Sequence, residues 1–315
     1  MHSRGGPYGP GSPEAIRGRE FRRQPCEPNR VAAAPLGLKV LGFVNAGTLA
    51  EISAEMRKIS MEVIYPWTES KVEDGFIRVT FKAFIYFEQY IFTNMLDSTD
   101  YIWRGQMCDH WKLETTIDRL LKKSNHELSD ENYQRHLNNF RYSTRGRRGG
   151  TPPFIETENE WWALGQHYGL ATPLLDWTTS PFVAAFFAFA DEKEDNSDYR
   201  AIYALTTDVI DDLKIQGKNP TIEFIKPLSD ENSRLVNQSG LFTRIAMGED
   251  IKEWIQNNYL GDNKRCILYQ FLIPNNERKF ALQQLNRMNI NHLTLFPDLH
   301  GSSSYSNLAV EINNY

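Results

Sequence analysis

Cysteine is scarce in this chain. Its three residues, Cys26, Cys108 and Cys266, are widely spaced and form no CxxC pair. That excludes a disulfide framework and points to a reducing, cytoplasmic setting. The seven histidines are scattered singly, so no metal site of the usual Cys/His spacing is expected. No apolar run approaches the roughly 18 residues a membrane-spanning helix needs, and the first residues lack the apolar core of a secretory signal. A soluble protein with no membrane partner is expected. There is no P-loop, no GxSxG, no HExxH and no GxGxxG after a strand, which leaves nucleotide hydrolases, esterases, zinc proteases and Rossmann dehydrogenases without a foothold. Excess positive charge is absent too. A formal net charge of -5 argues against a broad electrostatic grip on nucleic acid and leaves room for a local basic groove.

What is present is ordinary globular composition, 41% hydrophobic and 24% charged over 315 residues, enough for a sizeable core. Residues 1–36 stand apart, with six Pro, five Gly and six Arg and no apolar periodicity. They read as a basic, disordered tail that cannot offset its ordering entropy. Residues 37–315 read as one mixed α+β domain, helix-rich in its N-terminal half and strand-rich afterwards. "LAEISAEMRKISMEV" (49–63) has helical spacing, whereas "FIRVTFKAFIYFEQYIFTNML" (76–96) mixes β-branched and aromatic residues and fits helix or strand. "DYIWRGQ" (100–106), "TPLLDWTTSP", "YRAIYALTTDV", "TIEFIKP", "SGLFTRIA" and "RCILYQFLIP" read as strands. "LETTIDRLLKKS", "SDENYQRHLNNFRYST", residues 156–168, "EDIKEWIQNNYL" and "NERKFALQQLNRMN" read as helices. "GRRGGTPPF" (146–154) is a breaker loop.

Three stretches carry candidate chemistry. In "YIWRGQ", Arg104 presents a fixed fork of donors beside Gly105, whose bare backbone another molecule can approach. Arg104 is a candidate for gripping a phosphate, and equally for pairing with a core carboxylate such as Asp176. In "WWALGQHYGLATPLLDWTTSPFVAAFFAFA" (161–190), Ser180 followed by Pro181 is a helix start. The helix behind it is core, with alanines that allow close approach to a sheet. A helix N-terminus also suits anions, and the hydroxyls of Thr178, Thr179 and Ser180 gather there, with His167 and Tyr168 upstream. In "RYSTRGRRGG" (141–150), Arg141, Arg145, Arg147 and Arg148 lie beside Tyr142. The stretch reads as a solvated loop or as a contact for phosphates and a stacked base. Cys108, Asp109 and His110 are adjacent in sequence, but nothing else supports a Cys-His nucleophile.

Together, "YIWRGQ" and the 161–190 stretch resemble the FRG domain family, named for an (F/Y)RGQ-like motif whose aromatic position is Trp103 here. "RLVNQSGLFT" (234–243) and "LFPDLHGSS" (295–303) are similar to its downstream pieces, so the resemblance runs from about residue 85 to 310. The family's bacterial and phage settings imply a defence or toxin role. The order of an early Arg-Gly strand, then a strand ending in hydroxyls before an apolar helix, resembles more loosely the ADP-ribosyltransferase fold. That likeness implies a central, split, antiparallel-type sheet and NAD as substrate. It implies that Arg104 grips NAD and that Ser180 (or Thr179) orients the nicotinamide ribose. Gly105, Gln106, His167, Tyr168 and Thr178 would line the pocket. The third role belongs to a glutamate, and the matching residue is Gln238. Glutamine can neither act as general base nor set a charge opposite an oxocarbenium ion. Either Glu223, Glu249 or another acid substitutes, Asp176 and Asp298 being acids at motif positions, or the domain binds without transferring. Two expectations follow: an ADP-ribosyltransferase-like enzyme acting on a nucleic-acid or protein acceptor, and a non-catalytic nucleotide or nucleic-acid sensor.

Overall fold

A computed structural model describes residues 66–192, 197–227 and 233–315. The expected tail and the helix expected at 49–63 lie outside the described residues. In chain order the elements are β1 (Trp67–Glu69), β2 (Phe76–Phe81), α1 (Phe84–Tyr90, running into a π turn at Ile91–Met95), β3 (Tyr101–Gln106), α2 (Thr116–Lys123), α3 (Asp130–Ser143), α4 (Glu158–His167), β4 (Leu174–Thr178) and α5 (Pro181–Phe189). There follow β5 (Tyr199–Thr206), α6 (Val209–Ile215), β6 (Glu223–Ile225), α7 (Ser233–Asn237), β7 (Gly240–Arg244), α8 (Ile251–Asn258), β8 (Leu268–Pro274), α9 (Arg278–Arg287), α10 (His292–Leu295) and α11 (Leu299–Glu311). Helices are spread along the described chain rather than gathered in its first half. None of them is long and apolar enough to cross a membrane.

The eight strands form one sheet in the order β1-β2-β8-β5-β3-β4-β7-β6. Every neighbouring pair is antiparallel except β2 and β8, which run parallel. The expected split sheet is therefore one continuous mixed sheet. Its weakest join lies at the centre: β3 pairs with β5 over six residues, but with β4 only through Trp103 and Thr178. Continued, that register would set Arg104 against Trp177 and Gly105 against Asp176. The strands part there instead, leaving a seam.

One face of the sheet packs on α1, α5 and α9 through Trp103, Phe271, Phe87, Phe186 and Leu282. The other packs on α6 and α8 through Ile102, Tyr203, Leu213 and Ile255. A third cluster joins α2, α3 and α4 to β4 and β7 through Ile117, Leu137, Trp162, Leu174 and Phe242. The ambiguous 76–96 stretch divides into β2 and α1. Residue 83 is an alanine with no capping oxygen, and the first helical N–H, that of Phe84, is taken by Glu277 Oε2 at 3.0 Å.

The helix α5 sets the geometry of the centre. Ser180 caps it, its Oγ accepting from Val183 N at 3.3 Å, with Pro181 in the first turn. Ala184, Ala185, Phe186, Ala188 and Phe189 are fully buried, so its last carbonyls cannot reach water. Two buried arginines take them. Arg200 Nη1 donates to Ala188 O at 2.7 Å and Asp191 O at 2.9 Å. Arg278 donates to Phe189 O and Ala190 O, each at 3.0 Å, and pairs with Glu311. Positive charge at a helix C-terminus also complements its dipole.

Candidate functional site

A cleft of about 340 Å³ opens over the seam. One wall is β3 with α5, through Arg104, Gly105, Ala184 and Phe187. The other is β4, β7 and the segments around them, through Asp176, Thr178, Gln238, Arg234 and Phe296, and His167 at the end of α4 completes the rim.

Arg104 is the centre of it. Its register partner is Tyr203, so strand alternation places it on the face of Ile102 and Tyr203, whereas Asp176, paired with Phe242, belongs to the opposite face. Yet Arg104 Nη1 donates to the main-chain carbonyl of Asp176 at 2.8 Å and stands 3.8 Å from its Oδ2. The guanidinium thus sits in the gap of the sheet, replacing the ladder bond that β3 no longer supplies. The arrangement joins the two alternatives for Arg104, because what it pairs with is chiefly the aspartate's backbone. Its side chain is 17% exposed, and its Nε is buried with no hydrogen-bond partner among the described residues. Burial draws the guanidinium below its ordinary pKa; Asp176 and Tyr203 oppose that shift and Arg119 adds to it.

Gly105 has a different reason from the expected one. A Cβ there would stand 2.0 Å from Ala184 O and 2.6 Å from Ala188 N. What approaches this glycine is the protein's own helix α5, whose alanines and the bare Cα let helix and sheet meet. Gln106 points away from the cleft, buried, with Nε2 donating to Lys112 O at 3.4 Å. Thr178 lines the cleft but its hydroxyl is committed, donating to Gln238 O at 2.7 Å and accepting from Ser180 N at 3.1 Å. Thr179 is exposed, and neither it nor Ser180 lines the cleft. The strand ends at Thr178 and the turn carries both onward, with the Ser180 hydroxyl spent on the helix cap. Tyr168 is 70% exposed and also outside the lining. Its ring meets His167 edge-on at 4.7 Å.

At the position where the resemblance implies a glutamate, Gln238 lines the cleft. Its Nε2 donates to Leu295 O at 3.1 Å, tying α10 to the turn between α7 and β7. Glu223 lies on a separate cavity at the β6 edge, and Glu249 does not line the cleft. Asp298 caps α11, accepting from Gly301 N at 2.9 Å, and pairs with Arg234, whose guanidinium lies 5.4 Å over the Phe296 ring. The Gly301 N–H and Arg234 hold the Asp298 carboxyl below the ordinary range. Arg234 and Phe296 sit inside motifs the sequence displays, but their shared wall joins segments some sixty residues apart. No local pattern announces it.

Away from the cleft, Arg145 stacks on Tyr142 at 3.7 Å, and Arg141 and Arg148 lie over Trp161 at 5.5 and 5.2 Å. Tyr142 is 68% exposed and Phe154 86%. Trp161 and His167 share α4, so this basic surface and the cleft lie toward opposite ends of one helix.

Residues 99–197 match the FRG domain family model. The match is shorter than the stretch of resemblance read above. It contains Arg104, His167 and Asp176 but not Arg234, Gln238 or Phe296. No curated protein and no solved structure matches the chain.

Proposed function

We propose that the seam cleft, to which the stretch matching the FRG domain model contributes Arg104, His167 and Asp176, is a nucleotide site in which Arg104 takes the phosphates, and that the ligand is NAD, used for ADP-ribosyl transfer. One observation carries the reading. Arg104 is a buried guanidinium whose Nε has no hydrogen-bond partner among the described residues, beside an open cleft. Asp176, 3.8 Å away and 65% exposed, offsets its charge in part, and a buried charged donor left without a hydrogen bond is costly. Arg234, paired with Asp298, lies on the far wall, and Phe187 offers an apolar face to a base or nicotinamide ring. Ser180 has no part in this reading, since its hydroxyl caps α5.

Titration calorimetry with NAD and with ADP-ribose tests it. A hydrogen bond to a charged group contributes about 1.5–3 kcal/mol, so Arg104→Gln should weaken both ligands roughly 10- to 100-fold. Absence of binding of either ligand to the wild-type protein would refute the site.

The exposed Tyr142 and Phe154 with the arginines 141–148 favour a second reading: a single-stranded nucleic acid lies on this surface as the acceptor or as the ligand of a sensor. Arginine meets phosphates and aromatic faces stack bases. Fluorescence anisotropy of a labelled oligonucleotide should show affinity falling steeply with salt. An affinity indifferent to salt would sink this reading.

A further inference from the structure

Among the described residues lining the cleft, Asp176 is the one that carries a carboxylate. Its backbone is held twice, by pairing with Phe242 on β7 and by the Arg104 Nη1 bond to its carbonyl. The carboxylate itself lies outside both of those bonds and is an ion partner of Arg104. It stands 3.8 Å from Arg104 and its side chain is 65% exposed. Every other acid the sequence offered is elsewhere or engaged: Glu223 and Glu249 lie off the cleft, and Asp298 is taken by Arg234 and by the start of α11. A cation that fixes a neighbouring carboxylate through its main chain, and leaves the side chain facing the cleft, sets one negative charge in the cleft while its own positive charge screens that carboxylate from a bound phosphate.

Resting on the nucleotide reading above, the geometry points to Asp176 as the catalytic carboxylate of the cleft, opposing the positive charge of a breaking N-glycosidic bond. In that step the bond from the ribose C1′ to the nicotinamide nitrogen breaks, and its electron pair leaves with the nicotinamide. The ribosyl carbon takes oxocarbenium character, which the Asp176 carboxylate stabilises. A hydroxyl of the acceptor, or water, forms the new C1′–O bond and gives its proton to Asp176, which returns it to solvent. Nothing is oxidised or reduced. The side chain's exposure provides the proton's route out, and Arg104, 3.8 Å away, holds the phosphate next to the reacting ribose and offsets its charge beside the carboxylate.

The test compares wild type, Asp176→Asn and Asp176→Glu, measuring ADP-ribose affinity by calorimetry and nicotinamide release from NAD by chromatography. Because Arg104 bonds the residue's main chain, Asp176→Asn should keep the fold and bind ADP-ribose no more weakly than wild type, a negative charge near the phosphates having been removed. Its nicotinamide release should fall on the order of 10²- to 10⁴-fold, with part of the rate regained in Asp176→Glu. Release at the wild-type rate in Asp176→Asn would overturn the assignment and leave the nucleotide site standing. Loss of ADP-ribose binding in Asp176→Asn would also overturn it, making the residue a binding group. Wild-type protein that binds ADP-ribose but releases no nicotinamide would overturn catalysis alone, whereas wild-type protein that binds neither ligand removes the nucleotide reading and this inference together.

Discussion

A methyl group added at position 105 offers a severe test of how the seam is built. Its carbon would lie 2.0 Å from Ala184 O, 2.6 Å from Ala188 N and 3.0 Å from Ala184 C. All three atoms are backbone, so no side chain can swing aside. To reach the 3.4 Å at which ordinary contact begins, α5 must retreat by about 1.4 Å. The helix is not free to do so: Ser180 fixes its start, and Arg200 and Arg278 hold its final carbonyls. Retreat would also lift Ala184, Ala185, Phe186, Ala188 and Phe189 from a face where each is fully buried. Overpacking typically costs about 1–3 kcal/mol, more when the surroundings cannot give, so Gly105→Ala should cost about 3 kcal/mol. At roughly 2–4 °C per kcal/mol for a domain of this size, Tm should fall by roughly 6–12 °C. The assay is thermal unfolding followed by circular dichroism, with urea titration beside it. Gly150→Ala, whose Cβ meets nothing within 4 Å, serves as control and should change stability by less than about 0.5 kcal/mol. A Gly105→Ala protein melting within about 2 °C of wild type would refute the close seating of α5 on β3.

Two further outcomes are expected. Gln238→Glu restores the residue that the transferase likeness implies, but it replaces a donor to Leu295 O with an anion facing a carbonyl. Stability should drop by about 1–3 kcal/mol, with no gain in nicotinamide release; a rate increase would show that position 238 rather than 176 carries the chemistry. Glu88 is 7% exposed with an unpartnered Oε1, and burial raises its pKa above the ordinary 4.5. The folded state therefore holds the proton more tightly than the unfolded chain. This group favours the fold below pH 4.5 and disfavours it as pH rises through the raised value. Glu88→Gln should be more stable than wild type at pH 7, with the gain vanishing below about pH 4.5 in urea titrations across pH; an equal gain at pH 4 and pH 7 would contradict the titration account.

Much of this protein is determined locally and can be read from its sequence. The Ser180-Pro181 start of α5, the alternation that makes β3, β4, β5 and β8, and the breaker loop after α3 depend on neighbours within a few residues, where capping, period and turn chemistry act. Arg104 and His167 could be nominated for the same reason: strand ends and helix ends are local. The tertiary structure decided what distant segments do to one another. Glu277 converts the second half of an ambiguous apolar stretch into α1 by capping it across 193 residues. The parting of β3 from β4 makes the cleft, and it rests on register and on α5 pressing against Gly105. That parting draws the Arg104 guanidinium through the sheet to Asp176, and it leaves Thr179, Ser180 and Tyr168 outside. Gln238 and Asp298 lie in motifs the sequence displays, but their partners, Leu295 and Arg234, are fixed only when α7, α10 and α11 come together. Side-chain period and caps are short-range effects that a sequence carries on its face, whereas a carboxylate's neighbour in a cleft is set by chain crossings that no local pattern encodes.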